Sequence, residues 1–189
     1  MASIAPVCDF GWPAVDASLQ GVDGSQYSLL QQAGRKGLVI AFICNHCPYV
    51  KAVIARIVRD ASDLKDHGVG FVAINSNDAQ AYPEDSFANM KLFAATNGFG
   101  FPYLHDEDQS VARAYGAVCT PDFFGFNSDP KLQYRGRLDA SRKQQDAPDL
   151  RRDLFESMLE VARTGNGPRD QIASIGCSIK WKDELTLQS

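Results

Sequence analysis

The sequence predicts an α/β sandwich whose central sheet mixes parallel and antiparallel strands, on three observations. Leu38 to Ile43 is an unbroken apolar run of strand length, the pattern of a strand buried on both faces. From Pro48 onward, Val50, Val53, Ile54, Ile57, Val58, Ala61 and Leu64 recur at helical spacing and lay an apolar stripe along one face. Across the chain the order reads hairpin, strand, helix, strand, helix, strand, hairpin and helix, which suits a sheet covered by helices.

Each element has its own signal. Asp23-Gly24-Ser25 is a turn between two short mixed segments, so the region up to about Leu30 reads as a β-hairpin. The first apolar strand ends at Cys44, and Gly68 supplies a stop for the long helix that follows. Val69 to Ile74 is a second buried strand, after which Asn75-Ser76-Asn77-Asp78 opens a loop through Pro83. Asp85 is placed to cap a helix that buries Phe87, Met90, Phe93 and Ala94. An extended piece at Phe101 to Leu104 and a short helix at Val111 to Tyr115 come next. Val118 to Phe126 is strand-like but interrupted by Thr120-Pro121, so this strand either starts late or holds its proline at an edge. Asn127 to Pro130 turns the chain into a returning strand, Leu132 to Leu138. Pro148 suits the first turn of a final helix carrying Leu150, Leu154, Met158 and Val161 on one face. Beyond Gly165 the pattern dissolves, apart from the apolar cluster Ile175 to Trp181. That cluster is expected to dock on the body, because left exposed it would lower solubility.

These readings divide the chain into a domain over residues 1–165, hairpin included, and a docked tail over 166–189. A length of 189 residues with 44% hydrophobic content suits one domain with additions. The net charge of −4, spread without basic runs, leaves no footprint for a polyanion, so nucleic acid is not an expected partner. No apolar stretch reaches the roughly 18–20 residues of a membrane span. Residues 1–13 lack the basic head and apolar core of a secretory signal, so the expected location is cytoplasmic, or else the chain is a mature secreted form. Five cysteines, an odd number at irregular spacing, do not resemble a stapled extracellular framework; close spacing in a reducing compartment points to catalysis or metal.

The chemistry centres on Cys44-Asn45-His46-Cys47, at the junction of a buried strand and a helix. Two thiols three residues apart in a first helical turn can bond to each other. Free N–H groups and the helix dipole favour a thiolate there, with pKa values of roughly 3.5–7.5 in such motifs. Cys44, at the mouth of the helix and toward solvent, is the expected attacker of lowered pKa. Cys47, one turn in, is the expected resolver. A protonated His46 would add positive charge and make the pair a stronger oxidant. The alternative uses of these cysteines are as small buried residues or as half of a metal site. A zinc site would want a second ligand pair, whereas His67 and His105 are isolated and Cys8, Cys119 and Cys177 are scattered.

The unit strand-Cys44-x-x-Cys47-Pro48-helix, with Thr120-Pro121 opening a later strand, resembles the thioredoxin-like superfamily. The runs Phe42 to Lys51, Ile74 to Asp78 and Gly176 to Trp181 are similar to bacterial thioredoxin family proteins grouped with redoxins and alkyl hydroperoxide reductase-like (AhpC/TSA) proteins. The resemblance covers nearly the whole chain. It implies a thioredoxin-like three-layer sandwich with a mixed central sheet, an N-terminal β-hairpin extension and a C-terminal tail. It also implies Cys44 as nucleophile, Cys47 as resolving cysteine and Pro121 as a cis-proline. The cis bond would turn the backbone of Thr120 toward the dithiol, where it can pair with an extended substrate. The departures are equally specific. Thioredoxins proper carry Trp-Cys-Gly-Pro-Cys and a buried aspartate on the preceding strand; here Ile43 precedes Cys44 and the strand is wholly apolar, which leaves Asp122 as a candidate proton acceptor for Cys47. Peroxiredoxins need a threonine where Cys44 stands and an arginine near the Thr120-Pro121 loop.

The function expected from the sequence is thiol-disulfide exchange with protein or small-molecule disulfides, together with a thiol reductant or oxidant partner and no cofactor. A thiol peroxidase with antioxidant activity is the first alternative, with Cys47 or Cys44 oxidised to a sulfenic acid and resolved by its neighbour. A copper- or zinc-binding module using Cys44, Cys47 and a histidine is the second. Cys119 reads as a small buried residue, whereas Cys177 has no core to fill in a polar tail and is a candidate for a second disulfide with Cys119, provided their Cα atoms come within about 7 Å. Trp12 and Trp181 read as packing anchors for the two extensions.

Overall fold

The computed structural model describes residues 2–141 and 150–183. After a short strand β1 (Ala2–Ile4), strands β2 (Ser18–Gly21) and β3 (Gln26–Ser28) form the expected hairpin about Asp23 to Ser25. Strand β4 (Gly37–Phe42), whose residues are all buried, leads through Cys44 to Cys47 into helix α1 (Pro48–Asp66). Pro48 occupies the first turn, where its missing N–H costs nothing, and Gly68, at φ 79°, takes the left-handed conformation that ends the segment. Strand β5 (Val69–Asn75), helix α2 (Phe87–Thr96), strand β6 (Tyr103–His105) and helix α3 (Ser110–Tyr115) follow. Then come β7 (Cys119–Thr120), β8 (Asp122–Asn127), β9 (Leu132–Gly136), helix α4 (Asp153–Thr164) and β10 (Ile175–Ser178).

Helix α2 is capped by Ser86, whose hydroxyl accepts the Asn89 N–H at 3.4 Å, and not by Asp85, which is fully buried in the preceding turn with other partners. The segment through Thr120-Pro121 is two strands, not one. A proline has no N–H for the ladder, and here it separates β7 from β8, which lie in different sheets. Helix α4 starts at Asp153, leaving Leu150 outside it, and Pro148 lies outside the described residues.

Seven strands make one mixed sheet. Strands β3, β2, β6 and β5 pair in that order, as do β4, β8 and β9. The two groups meet where β4 and β5 lie side by side and the Ile43 N–H donates to the Ile74 carbonyl at 2.9 Å. The β5–β6 ladder is parallel; β4 with β8 and β8 with β9 are antiparallel. One face packs against α1 and α4, with Val50, Val53, Ile54, Ile57, Leu64, Leu154, Met158 and Val161 buried. Each such aliphatic side chain contributes about 1.5–3 kcal/mol by leaving water. The opposite face packs against α3 and the N-terminal segment, through Leu38, Ile40, Phe42, Phe124, Phe126 and Tyr115. Trp12 anchors that segment edge-on to Tyr115, centroids 5.3 Å apart. The result is three layers. Among the described residues, no helix is long and apolar enough to cross a membrane.

The tail is a strand. β10 pairs antiparallel with β1 on one side and β7 on the other, with Cys177 opposite both Ala2 and Thr120. A Cβ on Gly176 would collide with the Thr120 carbonyl, so the close approach of these two backbones requires glycine. Ile179 is buried behind the strand, and Trp181, 38% exposed, stacks under the Arg113 guanidinium at 4.6 Å.

Candidate active site

Strand β4 delivers Cys44, and the start of α1 delivers Cys47. Both are 0% exposed, so the expectation that Cys44 would be the more solvent-facing thiol does not hold. The helix begins at Pro48, which puts Cys47 at its N-cap and Cys44 three residues ahead of it; one thiol, not both, has the helix terminus. Opposite them stands Thr120, whose hydroxyl lies 3.3 Å from the Cys44 sulfur and whose carbonyl oxygen lies 3.2 Å from the Cys47 sulfur. The Thr120–Pro121 peptide is cis.

Acidity follows position. The hydrogen bond from the Cys44 thiol, with further hydrogen bonds from Cys177 and the Val50 N–H, holds Cys47 down to about 4 in spite of burial. Cys44 moves the other way, because it keeps the proton it shares with Cys47, is buried, and has the Asp85 charge beside it. The lowered pKa therefore belongs to Cys47, not to Cys44 as the sequence suggested. The interaction with Cys44 is the largest cause, and the place of Cys47 at the helix N-cap acts in the same direction.

His46 and Asp85 form the polar wall of the site. Nδ1 of His46 lies 2.6 Å from Asp85 Oδ2, and the ring stacks on Tyr82 with centroids 5.7 Å apart. Fully buried Asp85 also accepts the Asn45 N–H at 2.7 Å and the Asn77 amide at 2.7 Å. Donor atoms of Cys44, His46 and Asp85 all fall within 4.8 Å of one another. The expected metal set of Cys44, Cys47 and a histidine thus differs from the set the fold gathers, and Asp85 and His46 Nδ1 in that set are already bonded to each other. Asp85 was read as a helix cap and missed as a site residue.

Asn77 carries the wall to the tail. Its side-chain oxygen accepts the Lys180 N–H at 2.9 Å, while Asp78 N–H and the Gln109 amide both donate to the Lys180 carbonyl at 2.8 Å. The three sequence runs that carried the family resemblance therefore meet at one place. Strand β10 also occupies the Thr120 edge that the resemblance reserved for an incoming substrate.

The remaining cysteines separate clearly. Cys177, half-buried, packs against the cluster that holds Cys44 and Cys47, in register with Thr120, the residue that contacts both sulfurs. Cys119 is opposite Ser178, one step along the ladder from the pair Thr120 and Cys177. Successive side chains in a strand point to opposite faces, so Cys119 and Cys177 diverge, which removes the candidate disulfide between them. Burial, chiefly, pushes the Cys119 thiol far above its ordinary value. Asp122 faces the other way too. It shares the face of Phe42 and Phe124, opposite the dithiol, and is fully buried in an ion pair with Arg135 at 3.0 Å. It is not the proton acceptor for Cys47.

Comparison with known proteins agrees with this geometry. A crystal structure of an uncharacterized conserved protein from Geobacillus kaustophilus is 46% identical, covers 97% of this chain and 98% of its own, and superposes with a TM-score of 0.91. The thioredoxin domain of a thiol-disulfide oxidoreductase from Bacteroides vulgatus shares the fold at 13% identity, with a TM-score of 0.62 over 81% of this chain and 97% of that one. The thiol-disulfide oxidoreductase ResA of Halalkalibacterium halodurans is 26% identical over 111 residues, 59% of this chain and 58% of that protein's length. The Redoxin family model matches residues 10–154, well over half of the sequence, and the chain accordingly belongs to the Redoxin family.

Proposed function

We propose that this protein is a thiol-disulfide oxidoreductase that exchanges disulfides through Cys44 and Cys47. The observation that carries this is the pair of buried cysteines at the start of α1 that face one residue, the Cys44 sulfur 3.3 Å from the Thr120 hydroxyl and the Cys47 sulfur 3.2 Å from the Thr120 carbonyl oxygen. A thiolate at neutral pH and a neighbouring thiol are what exchange requires: the thiolate attacks a substrate disulfide, and the neighbour breaks the mixed disulfide that results. In this site Cys47 is the thiolate and Cys44 holds the proton. His46, oriented by Asp85, has a ring nitrogen within 4.8 Å of the Cys44 sulfur, a separation over which that proton would pass through one water as the internal disulfide forms and opens. The partners are disulfides of proteins or small molecules and a thiol reductant or oxidant.

Redox titration in glutathione buffers, read as alkylation mass shifts, tests this. A single two-electron couple that forms a Cys44–Cys47 disulfide and disappears in both Cys44→Ser and Cys47→Ser is the expected result. Failure of that disulfide to form would overturn the reading. The position of Cys47 at the helix N-cap also favours a second reading, in which its thiolate attacks a peroxide and the sulfenic acid condenses with Cys44. Stopped-flow oxidation of the reduced protein by hydrogen peroxide, compared with oxidation by a protein disulfide, separates the two.

A further inference from the structure

We propose that Cys177 is a third redox thiol, which exchanges into the buried pair to form a Cys47–Cys177 disulfide and links that pair to thiols in solution. The inference rests on the dithiol function proposed above. Three observations carry it. Cys44 and Cys47 are both 0% exposed, so an outside thiol reaches either sulfur only after a local opening. Cys177 is half-buried and therefore reachable, and it packs against the cluster that holds Cys44 and Cys47. Its position is set by structure on both sides: β10 is held between β1 and β7 with Cys177 in register with Thr120, the residue that contacts both buried sulfurs. Gly176 beside it permits the close approach.

The chemistry balances without any further oxidant. Starting from a Cys44–Cys47 disulfide, Cys177 loses its proton and attacks the Cys47 sulfur. The Cys44–Cys47 bond breaks, and Cys44 leaves with the electron pair and is protonated. One disulfide has replaced another, and one proton has moved from Cys177 to Cys44. An external thiolate then attacks Cys177, the accessible sulfur, and expels Cys47. Cys47 is a good leaving group because its thiolate is the stabilised one in this site, and leaving-group ability rises as the thiol pKa falls. A second external thiolate frees Cys177. Two external thiols have become one disulfide, and the protein has gained two electrons.

The test uses the full chain. Cys44→Ser, treated with oxidised glutathione and quenched with acid, is digested without reduction and mapped by mass spectrometry. A Cys47–Cys177 crosslink is expected as the main intramolecular product, and Cys177 recovered only as a free thiol or glutathione adduct overturns the proposal. In parallel, Cys177→Ser and wild type are oxidised to the Cys44–Cys47 disulfide and reduced with glutathione. Reduction of the variant is expected to be at least tenfold slower. Reduction at the wild-type rate overturns the relay even where the crosslink is seen, and leaves the dithiol function standing. Absence of a Cys44–Cys47 disulfide in wild type and Cys177→Ser alike overturns that function itself.

Discussion

Asp85→Asn separates the charge of the polar wall from its shape. The carboxylate is fully buried and accepts from Asn45 N, His46 Nδ1 and Asn77 Nδ2. An amide of the same outline has one oxygen, and its NH₂ must face one of those donors, which leaves an unsatisfied group at a cost of about 1–3 kcal/mol. The variant therefore folds with a measurable loss of stability. Its effect on Cys44 is electrostatic. The Asp85 oxygen and the Cys44 sulfur are within 4.8 Å. At that separation a full charge is worth about 0.9 kcal/mol in water and about 3.5 kcal/mol at an effective dielectric of 20. Cys44 is buried, so the lower figure is a floor, and removing the charge raises its thiolate fraction at fixed pH by at least about fourfold. The assay is iodoacetamide alkylation across pH in a Cys47→Ser background, where Cys44 is the only one of the two thiols left to titrate. An alkylation profile unchanged by Asp85→Asn, in a variant shown by denaturation to be folded, would refute the assignment of Asp85 as the charge that holds Cys44 protonated.

Three more outcomes follow from contacts in the structure. Cys44→Ala removes the donor that contributes most to the low pKa of Cys47, so the thiolate absorbance near 240 nm, half-titrated at about 4 in the reduced wild type, moves to higher pH; an unmoved midpoint would show that the helix terminus alone sets it. Burial, against the Arg135 charge, raises Asp122 from 3.8 to about 6, so in the folded state it binds its proton more tightly. Its contribution to stability is fully present below about 3.8 and is lost as pH rises through 6, about 3 kcal/mol in all. Urea denaturation at pH 4 and pH 7 should show that this fall is missing from Asp122→Asn, and an equal fall in both proteins would contradict it. Gly176→Ala forces β10 off Thr120 and costs roughly 1–3 kcal/mol, with more exposed Trp181 fluorescence; wild-type stability would mean that the strand tolerates the shift.

Legibility in the sequence tracked how local the signal was. Strand β4 and helix α1 were visible because burial on both faces gives an unbroken apolar run and burial on one face gives a 3.6-residue stripe. Asp85 was misread because a carboxylate two residues ahead of an apolar helical pattern has the signature of a cap. Ser86 takes that place, and partners 40 and 39 residues earlier in the chain, Asn45 and His46, claim the carboxylate. The division of roles within the dithiol was hidden for a similar reason. Residue spacing shows that two thiols share a turn, but which of them meets the helix terminus depends on the residue at which α1 begins. Pro48 at the first helical position could have supplied that signal. The partner of Cys177 was beyond reach, since nothing in residues 175 to 181 says whether the strand they form pairs with β7 in the register that puts Cys177 or Ser178 opposite Thr120.

That register also bears on how a substrate can enter. An extended substrate pairing along Thr120 would first have to displace β10. Displacement breaks the hydrogen bond from Ile179 N to Val118 O at 3.1 Å and those joining Lys180 to Asn77, Asp78 and Gln109. It also exposes Ile179, 4% accessible in the folded state, whose burial alone is worth about 1.5–3 kcal/mol. A state opened at that cost is at least roughly tenfold less populated than the closed one before any hydrogen bond is counted, because 1.4 kcal/mol is a factor of ten. Reaction at Cys177 asks for no such opening, since the residue is only half-buried and packs against the cluster that holds Cys47. The tail strand therefore closes the backbone edge and in the same register supplies a thiol at the closure, so that under the relay proposed above a partner reacting at Cys177 leaves the strand in place.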